Sequence, residues 1–211
     1  MYKKQQETST PTLSREGLCF TYEQVNIVST FQRLFTELAV LMRATINAYI
    51  FNNPNFNEIS QSLMKVPSNF RDALLIFYGP EIADRFNSLM TAFVSNMFPI
   101  LEGFSSNNQE LISQSTQKWY SDANNLAIFL DSINLFWTLG QWRYLLNQYI
   151  QLKMSMLVAL YTGDYERELQ IYERVLDLTS IMGAFMAQGL IARDLLRTVQ
   201  SPATPTTPTT P

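Results

Sequence analysis

The residues of this chain with the most potential for chemistry are its carboxylates, because the sequence contains no histidine and only one cysteine. Histidine is the commonest general base and the commonest metal ligand in proteins. Its absence excludes a Ser-His-Asp or Cys-His catalytic device and the usual zinc sites. Cys19 has no neighbouring base or motif that would activate it, so we do not expect a reactive thiol.

Two pairs of carboxylates could act together only if each pair lay on one face of a helix. Glu166 and Glu168 are two residues apart, and Asp122 and Asp131 are nine apart. A shared face needs a spacing of three or four residues. We therefore interpret these groups as solvated side chains, as helix caps or as members of surface ion pairs. The surface pairs expected in the last helix involve Arg167, Glu168, Glu173 and Arg174.

The segment KWYSDANNLAIFLDSINLFW (118–137) concentrates aromatic side chains that could form a binding pocket. Trp119 lies on the apolar seam of its predicted helix, and Trp142 lies on the seam of the next helix. Aromatic residues at helical spacing are typical of a packed core, which is the interpretation we favour. Arg43, Trp119 and Trp142 remain candidates for a pocket wall. A buried indole N–H group needs an acceptor, and the polar residues beside Trp119 are Asp122, Asn124 and Asn125.

Length and composition predict one folded domain. The chain has 211 residues, of which 46% are hydrophobic, and this is enough for one buried core. The net charge is −3 and no Lys/Arg cluster marks a nucleic-acid partner. No nucleotide-binding motif occurs, so no cofactor is expected. The sequence shows neither a signal peptide nor the run of about 20 apolar residues that makes a transmembrane segment, so we expect a cytoplasmic protein.

Helix is the structure that the apolar pattern favours over the whole folded part. Apolar residues recur at steps of three and four from Tyr22 to about Val199. The spacing predicts an all-α fold, an up-down helical bundle of about five long helices with one or two short ones. We expect a polar N-terminal arm over 1–20, the helical-bundle domain over 21–199 and a disordered Thr/Pro-rich tail over 200–211.

Prolines predict several of the helix boundaries. Pro54 should end the first long helix. A short helical piece should run to Lys65, and Pro67 should lie near the start of the next helix. Pro99 should kink or end the helix that begins near Pro80.

Polar residues between the apolar segments predict caps. The side-chain oxygens of Thr138 and Asp164 are suited to cap the first turns of the last two helices. Asn134 is suited to a left-handed cap at the end of the aromatic segment.

Three blocks of the chain resemble a family of small bacterial helical-bundle proteins of unassigned function. KWYSDANNLAIFLDSINLFW (118–137) is similar to the family's W-Y-x-N-A-D-x-I-A-x-F-L-x-x-I-N-P-x-W block. LMKVPSNFRDALLIFYGPEIADRF (63–86) is similar to its L-L-R-N-P-x-D-x-x-x-A-x-x-x-Y-Y-G block. QWRYLLNQYIQLKMSMLVALYTGDY (141–165) is similar to its W-R-x-x-L-x-E-H-L-x-L-T-x-x-E-A block. The resemblance covers about 36–191 and implies a helical bundle.

Members of that family usually carry three histidines in the bundle. The resemblance aligns them with Leu38, Phe93 and Tyr149, and it aligns a family arginine with Arg43. Because none of the three is histidine here, the resemblance implies that a buried metal or proton-handling site has been lost. Bulky side chains at these positions would fill the interior instead, so no metal is expected.

These observations leave three classes of function. The leading hypothesis is a non-catalytic helical-bundle protein with a structural or protein-interaction role, as a homo-oligomer or with a protein partner. The alternative is a binder of a small apolar ligand in the bundle interior, with nine methionines and fourteen phenylalanines available as adaptable walls. The third is an enzyme of unknown type, which no motif supports.

Overall fold

The computed structural model describes residues 21–200, with side chains described for 21–196. The predicted arm (1–20) and nearly all of the predicted tail (200–211) lie outside the described residues. Within the described range the chain is all-α, with no strand, as the apolar spacing predicts. The helices are α1 (Tyr22–Ile50), α2 (Phe56–Tyr78), α3 (Pro80–Ser95), α4 (Met97–Ser105), α5 (Gln109–Ile133), α6 (Leu139–Tyr161) and α7 (Tyr165–Gln200).

The six longer helices form a closed ring around one hydrophobic core. Going round the ring, α1 packs on α7, α7 on α6, α6 on α5, α5 on α3, α3 on α2, and α2 on α1 again. The short helix α4 packs mainly on α5 and also contacts α1. Short connections make most chain neighbours antiparallel, which gives the expected up-down bundle. Each helix therefore points one apolar stripe toward a shared interior.

The helix α2 differs from its prediction, because it continues through Pro67 instead of restarting there. Proline cannot donate a hydrogen bond to the fourth residue before it, here Leu63, and this costs about 3 kcal/mol inside a helix. The stripe around Pro67, which includes Val66, Phe70 and Leu74, is fully buried. Each such side chain contributes about 1.5–3 kcal/mol on burial, so packing outweighs the missing hydrogen bond. The expected effect of Pro99 is confirmed: α3 ends at Ser95, and Pro99 lies in the first turn of α4.

Three helices end with the same backbone motif. After α1, α4 and α6 a residue with positive φ follows the C-cap: Asn52 (52°), Asn107 (51°) and Gly163 (75°). The amide after each of these residues donates to a carbonyl five positions earlier, which is the Schellman pattern. Asparagine and glycine tolerate this conformation best, so local sequence determines all three ends.

The expected N-caps are confirmed. The Thr138 hydroxyl accepts from the amide of Gln141 at 3.4 Å, and the Asp164 carboxylate accepts from the amide of Arg167 at 3.1 Å. The left-handed cap predicted at Asn134 is wrong, because this residue is extended with φ of −151°. Its side chain instead donates to the Tyr78 hydroxyl at 2.9 Å.

The helices α1 and α7 approach closely at Gly183. A Cβ atom at this position would lie 2.5 Å from the Cα of Gln32. We expect Gly183→Ala to lower the free energy of unfolding by about 1–3 kcal/mol, because two backbones would have to separate. The control is Gly140→Ala in α6, where a Cβ atom meets nothing within 4 Å. Chemical denaturation measures both, and equal midpoints for the two variants would contradict this close approach.

The longest helix, α7, is long and apolar enough to be compared with a transmembrane helix. Within the described residues, Tyr165–Leu196 of α7 is the single segment long and apolar enough to cross a membrane, and half of its most apolar window is buried in the bundle. The core helix of a bundle has the same composition, so this segment is not a clear transmembrane helix.

Candidate functional site

The positions aligned with the family's histidines lie in the core of the ring. Phe93 and Tyr149 pack together with ring centroids 6.0 Å apart, and the Trp119 ring also packs on Phe93 at 5.8 Å. The Tyr149 hydroxyl reaches α1, where it lies 3.2 Å from the sulfur of Met42. Leu38 is fully buried one helical turn before Met42. The structure thus brings Phe93 and Tyr149 into contact and places Leu38 on the facing helix.

The three candidates for a pocket wall lie in different places. Trp119 belongs to the Phe93 cluster, whereas Trp142 packs between Phe35 and Phe185 with centroids 6.3 and 5.2 Å away. Arg43 lies at the contact between α1 and α7. Five surface clefts in the described part, of about 210–560 Å³, are lined by other residues.

The acceptors expected for the buried indoles have other partners. Asp122 accepts from Asn96 at 2.7 Å and from Lys118 at 2.6 Å. Asn124 accepts from Arg143. Among the residues that the structure describes, the indole N–H groups of Trp119 and Trp142 have no hydrogen-bond partner. The prediction that neighbouring polar residues serve Trp119 is therefore wrong.

A cluster of charged residues, two of them buried and Arg43 partly exposed, lies where α1, α6 and α7 meet. The guanidinium of Arg43 donates two hydrogen bonds to the carboxylate of Glu168, at 2.7 and 2.8 Å. Only 3% of the Glu168 side chain is exposed, against 26% for Arg43. The guanidinium also lies 4.5 Å from the ring centre of Tyr172. A bidentate contact of this kind fixes both side chains, and the hydrogen bond to Glu168 raises the pKa of Arg43.

Lys153 completes this cluster from α6. Its side chain is fully buried, and its amine donates one hydrogen bond of 3.3 Å to the carbonyl of Ala39. The amine also lies 5.4 Å from the ring centre of Tyr149. Burial and the positive charge of Arg43 lower the pKa of Lys153 to about 7, although Glu168 acts in the opposite direction. Part of the Lys153 population is therefore neutral at neutral pH.

The positions of Glu168 and Lys153 on the apolar seams of their helices could have indicated that both are buried. Glu168 lies three residues before Ile171 and seven before Val175, so it continues the apolar seam of α7. Lys153 lies four residues after Tyr149, on the buried side of α6. The polarity of Glu168 led to its assignment to the surface, which is wrong because the residue is buried. Its expected partners, Arg167, Glu173 and Arg174, are exposed, and within the described residues none of them forms an ion pair.

The chemistry open to this cluster is limited by its enclosure. A desolvated lysine is a nucleophile or base in many active sites, but a substrate must reach it. Lys153 is 0% exposed, and the surface clefts described above do not include it. Between residues 21 and 200, no group of three or more Cys, Asp or Glu side chains could hold a metal ion.

Comparisons with models of known protein families, with curated proteins and with solved structures give no match. The resemblance to the bacterial helical-bundle family therefore stays a prediction from the three sequence blocks.

Proposed function

We propose that this protein is a non-catalytic helical bundle that acts through contacts of its outer surface, in the first instance with a second copy of itself. The observation that carries the proposal is the aromatic packing of the interior. Phe93 packs against both Tyr149 and Trp119 at the position where the resembled family would hold a site. An interior of this kind supports shape and stability, and it leaves the surface to provide function.

Exposed apolar residues at one end of the ring support an association role. Leu135 is 91% exposed in the connection between α5 and α6, and Ile76 is 85% exposed near the end of α2. The hydrogen bond between Asn134 and Tyr78 joins these two segments, so both side chains belong to the same end. Large exposed apolar groups that occur together are typical of protein contacts.

Light scattering over a range of protein concentrations tests the proposal. We expect a mass above the 24.3 kDa of one chain. Ile76→Ser combined with Leu135→Ser should weaken association at least about tenfold, which corresponds to about 1.4 kcal/mol. The matched control is Val25→Ser with Val40→Ser, two exposed valines of α1. A mass of one chain at every concentration, or equal weakening by both double variants, would exclude association through this end.

The other two functional classes lack an observation in their favour. An apolar ligand in the interior would need an enclosed space beside Phe93 or Tyr149, and both rings are in close aromatic contact. An enzyme based on Lys153 would need a path to its amine, which is fully buried.

A further inference from the structure

A cleft of about 510 Å³ lies at the end of the bundle where α1, α4 and α6 terminate. Three aromatic residues line it, Tyr49, Phe56 and Tyr161. Tyr49 packs on Phe56 with centroids 5.4 Å apart, and Tyr161 stacks on Phe104 at 5.0 Å. Tyr49 and Tyr161 both line the cleft, and burial together with the nearby Tyr49 raises the pKa of Tyr161. Aromatic faces carry negative potential and attract cations.

The backbone adds further negative potential to the same cleft. Ile50, Ser105 and Tyr161 are the last residues of α1, α4 and α6, and all three line it. A helix C-terminus carries a partial charge of about −0.5. None of the three helices has a basic residue in its last turn. A single lining residue, Phe56, comes from the start of a helix.

The cleft contains no ionised side chain of its own. None of its eight lining residues is charged. The polar groups that it offers are those of Asn52, Asn53, Ser105 and the two tyrosines. A cation that enters the cleft therefore meets aromatic faces and backbone dipoles, with no strongly hydrated carboxylate. This environment favours a large, weakly hydrated organic cation over a metal ion, which prefers anionic ligands.

We propose that this cleft binds the ammonium group of a small organic cation, with a quaternary ammonium compound of the choline type as the best-fitting ligand. The methyl groups of such a ligand contact the rings of Tyr49 and Tyr161, and its positive charge faces the three helix C-termini. A hydroxyl on the ligand can bond to the amides of Asn52 or Asn53.

Calorimetric titration of the full chain with choline chloride tests this proposal. The matched control ligand is 3,3-dimethylbutan-1-ol, which has the same shape without the charge. We expect choline to bind with a dissociation constant in the millimolar range or below, and the neutral alcohol to bind at least about tenfold more weakly. Equal binding of the two ligands would overturn the proposal, and so would the absence of choline binding at millimolar concentrations.

Variants of Tyr161 distinguish the contribution of its ring to choline binding from the contribution of its hydroxyl. Tyr161→Phe should keep choline binding, because the ring remains, whereas Tyr161→Leu should weaken it at least about fivefold. The control is Tyr144→Leu, which changes a tyrosine that is 63% exposed elsewhere on the bundle. Unchanged affinity in Tyr161→Leu would overturn the proposed site. Should that variant fail to fold, Tyr49→Leu provides the same comparison from the facing wall.

Two sources of the ligand are distinguished by a second titration with phosphatidylcholine vesicles. Binding of choline alone identifies a free small molecule, and binding of both identifies the lipid headgroup. Binding of vesicles without choline would contradict recognition of the ammonium group. These titrations measure ligand binding, whereas the proposed self-association is measured by light scattering. The two proposals can therefore fail independently.

Discussion

Replacement of Lys153 with methionine is expected to stabilise the protein at pH 7, by about 1–4 kcal/mol. The amine of Lys153 is fully buried with one carbonyl as its hydrogen-bond partner. Transfer of a charged amine out of water is costly, and replacement of buried charges by apolar groups of similar volume is often stabilising by this amount. Methionine matches the length of the lysine stem and adapts to irregular space.

The same lysine should make stability depend on pH. Its pKa is lowered from 10.5 to about 7 in the folded chain. Above pH 10.5 the amine is neutral in both states, and this lysine has no effect on stability. As the pH falls from 10.5 to 7, the unfolded chain binds a proton that the folded chain does not, so the free energy of unfolding falls by about 1.4 kcal/mol per pH unit. Below pH 7 the Lys153 amine is protonated in both the folded and the unfolded chain, and the free energy of unfolding falls no further through this group.

Urea denaturation of the wild type and Lys153→Met between pH 7 and 9.5 measures both effects. The upper limit avoids the tyrosines, since burial raises the pKa of Tyr149 and stability then falls once the unfolded tyrosine ionises near pH 10. The free energy of wild type should rise by on the order of 3 kcal/mol over this range, and that of the variant should stay nearly flat. Lys65→Met, at an exposed position, is the control. Parallel curves for wild type and Lys153→Met would show that the amine reaches water.

Replacement of Arg43 with methionine should destabilise the protein by about 3–5 kcal/mol. The substitution leaves the Glu168 carboxylate buried without its bidentate partner, and an uncompensated buried charge has a cost of this size. Arg33→Met provides the control, because the Arg33–Glu37 pair is exposed at 67% and 30% and should contribute less than about 1 kcal/mol.

A double variant identifies the cause of that loss. Arg43→Met with Glu168→Met removes both charges, and it should recover most of the stability lost in the single variant. In Arg43→Met the pKa of Lys153 should also rise, because Arg43 lowers this pKa and Glu168 raises it. NMR titration of the lysine side chain detects this change. A double variant as unstable as the single one would assign the loss to packing of the arginine stem.

The features that could be predicted from the sequence are those with local causes. The seams of the helices follow from a period of 3.6 residues. The caps at Thr138 and Asp164 depend on groups three residues apart. Burial of Phe93, Trp119 and Tyr149 also follows from their positions on a seam, because an apolar side chain there has no competing preference for water.

Only the tertiary structure decided which partners the polar residues have. Arg43 and Glu168 are 125 positions apart, and their contact exists because α7 folds back along α1. Asn134 is suited to a left-handed cap, but an extended conformation lets it reach Tyr78, which is 56 positions away. The helix α2 continues through Pro67 because its neighbours bury the residues on both sides of it. In each case a distant partner outweighs a local preference of a few kcal/mol or less, and sequence spacing carries no information about distant partners.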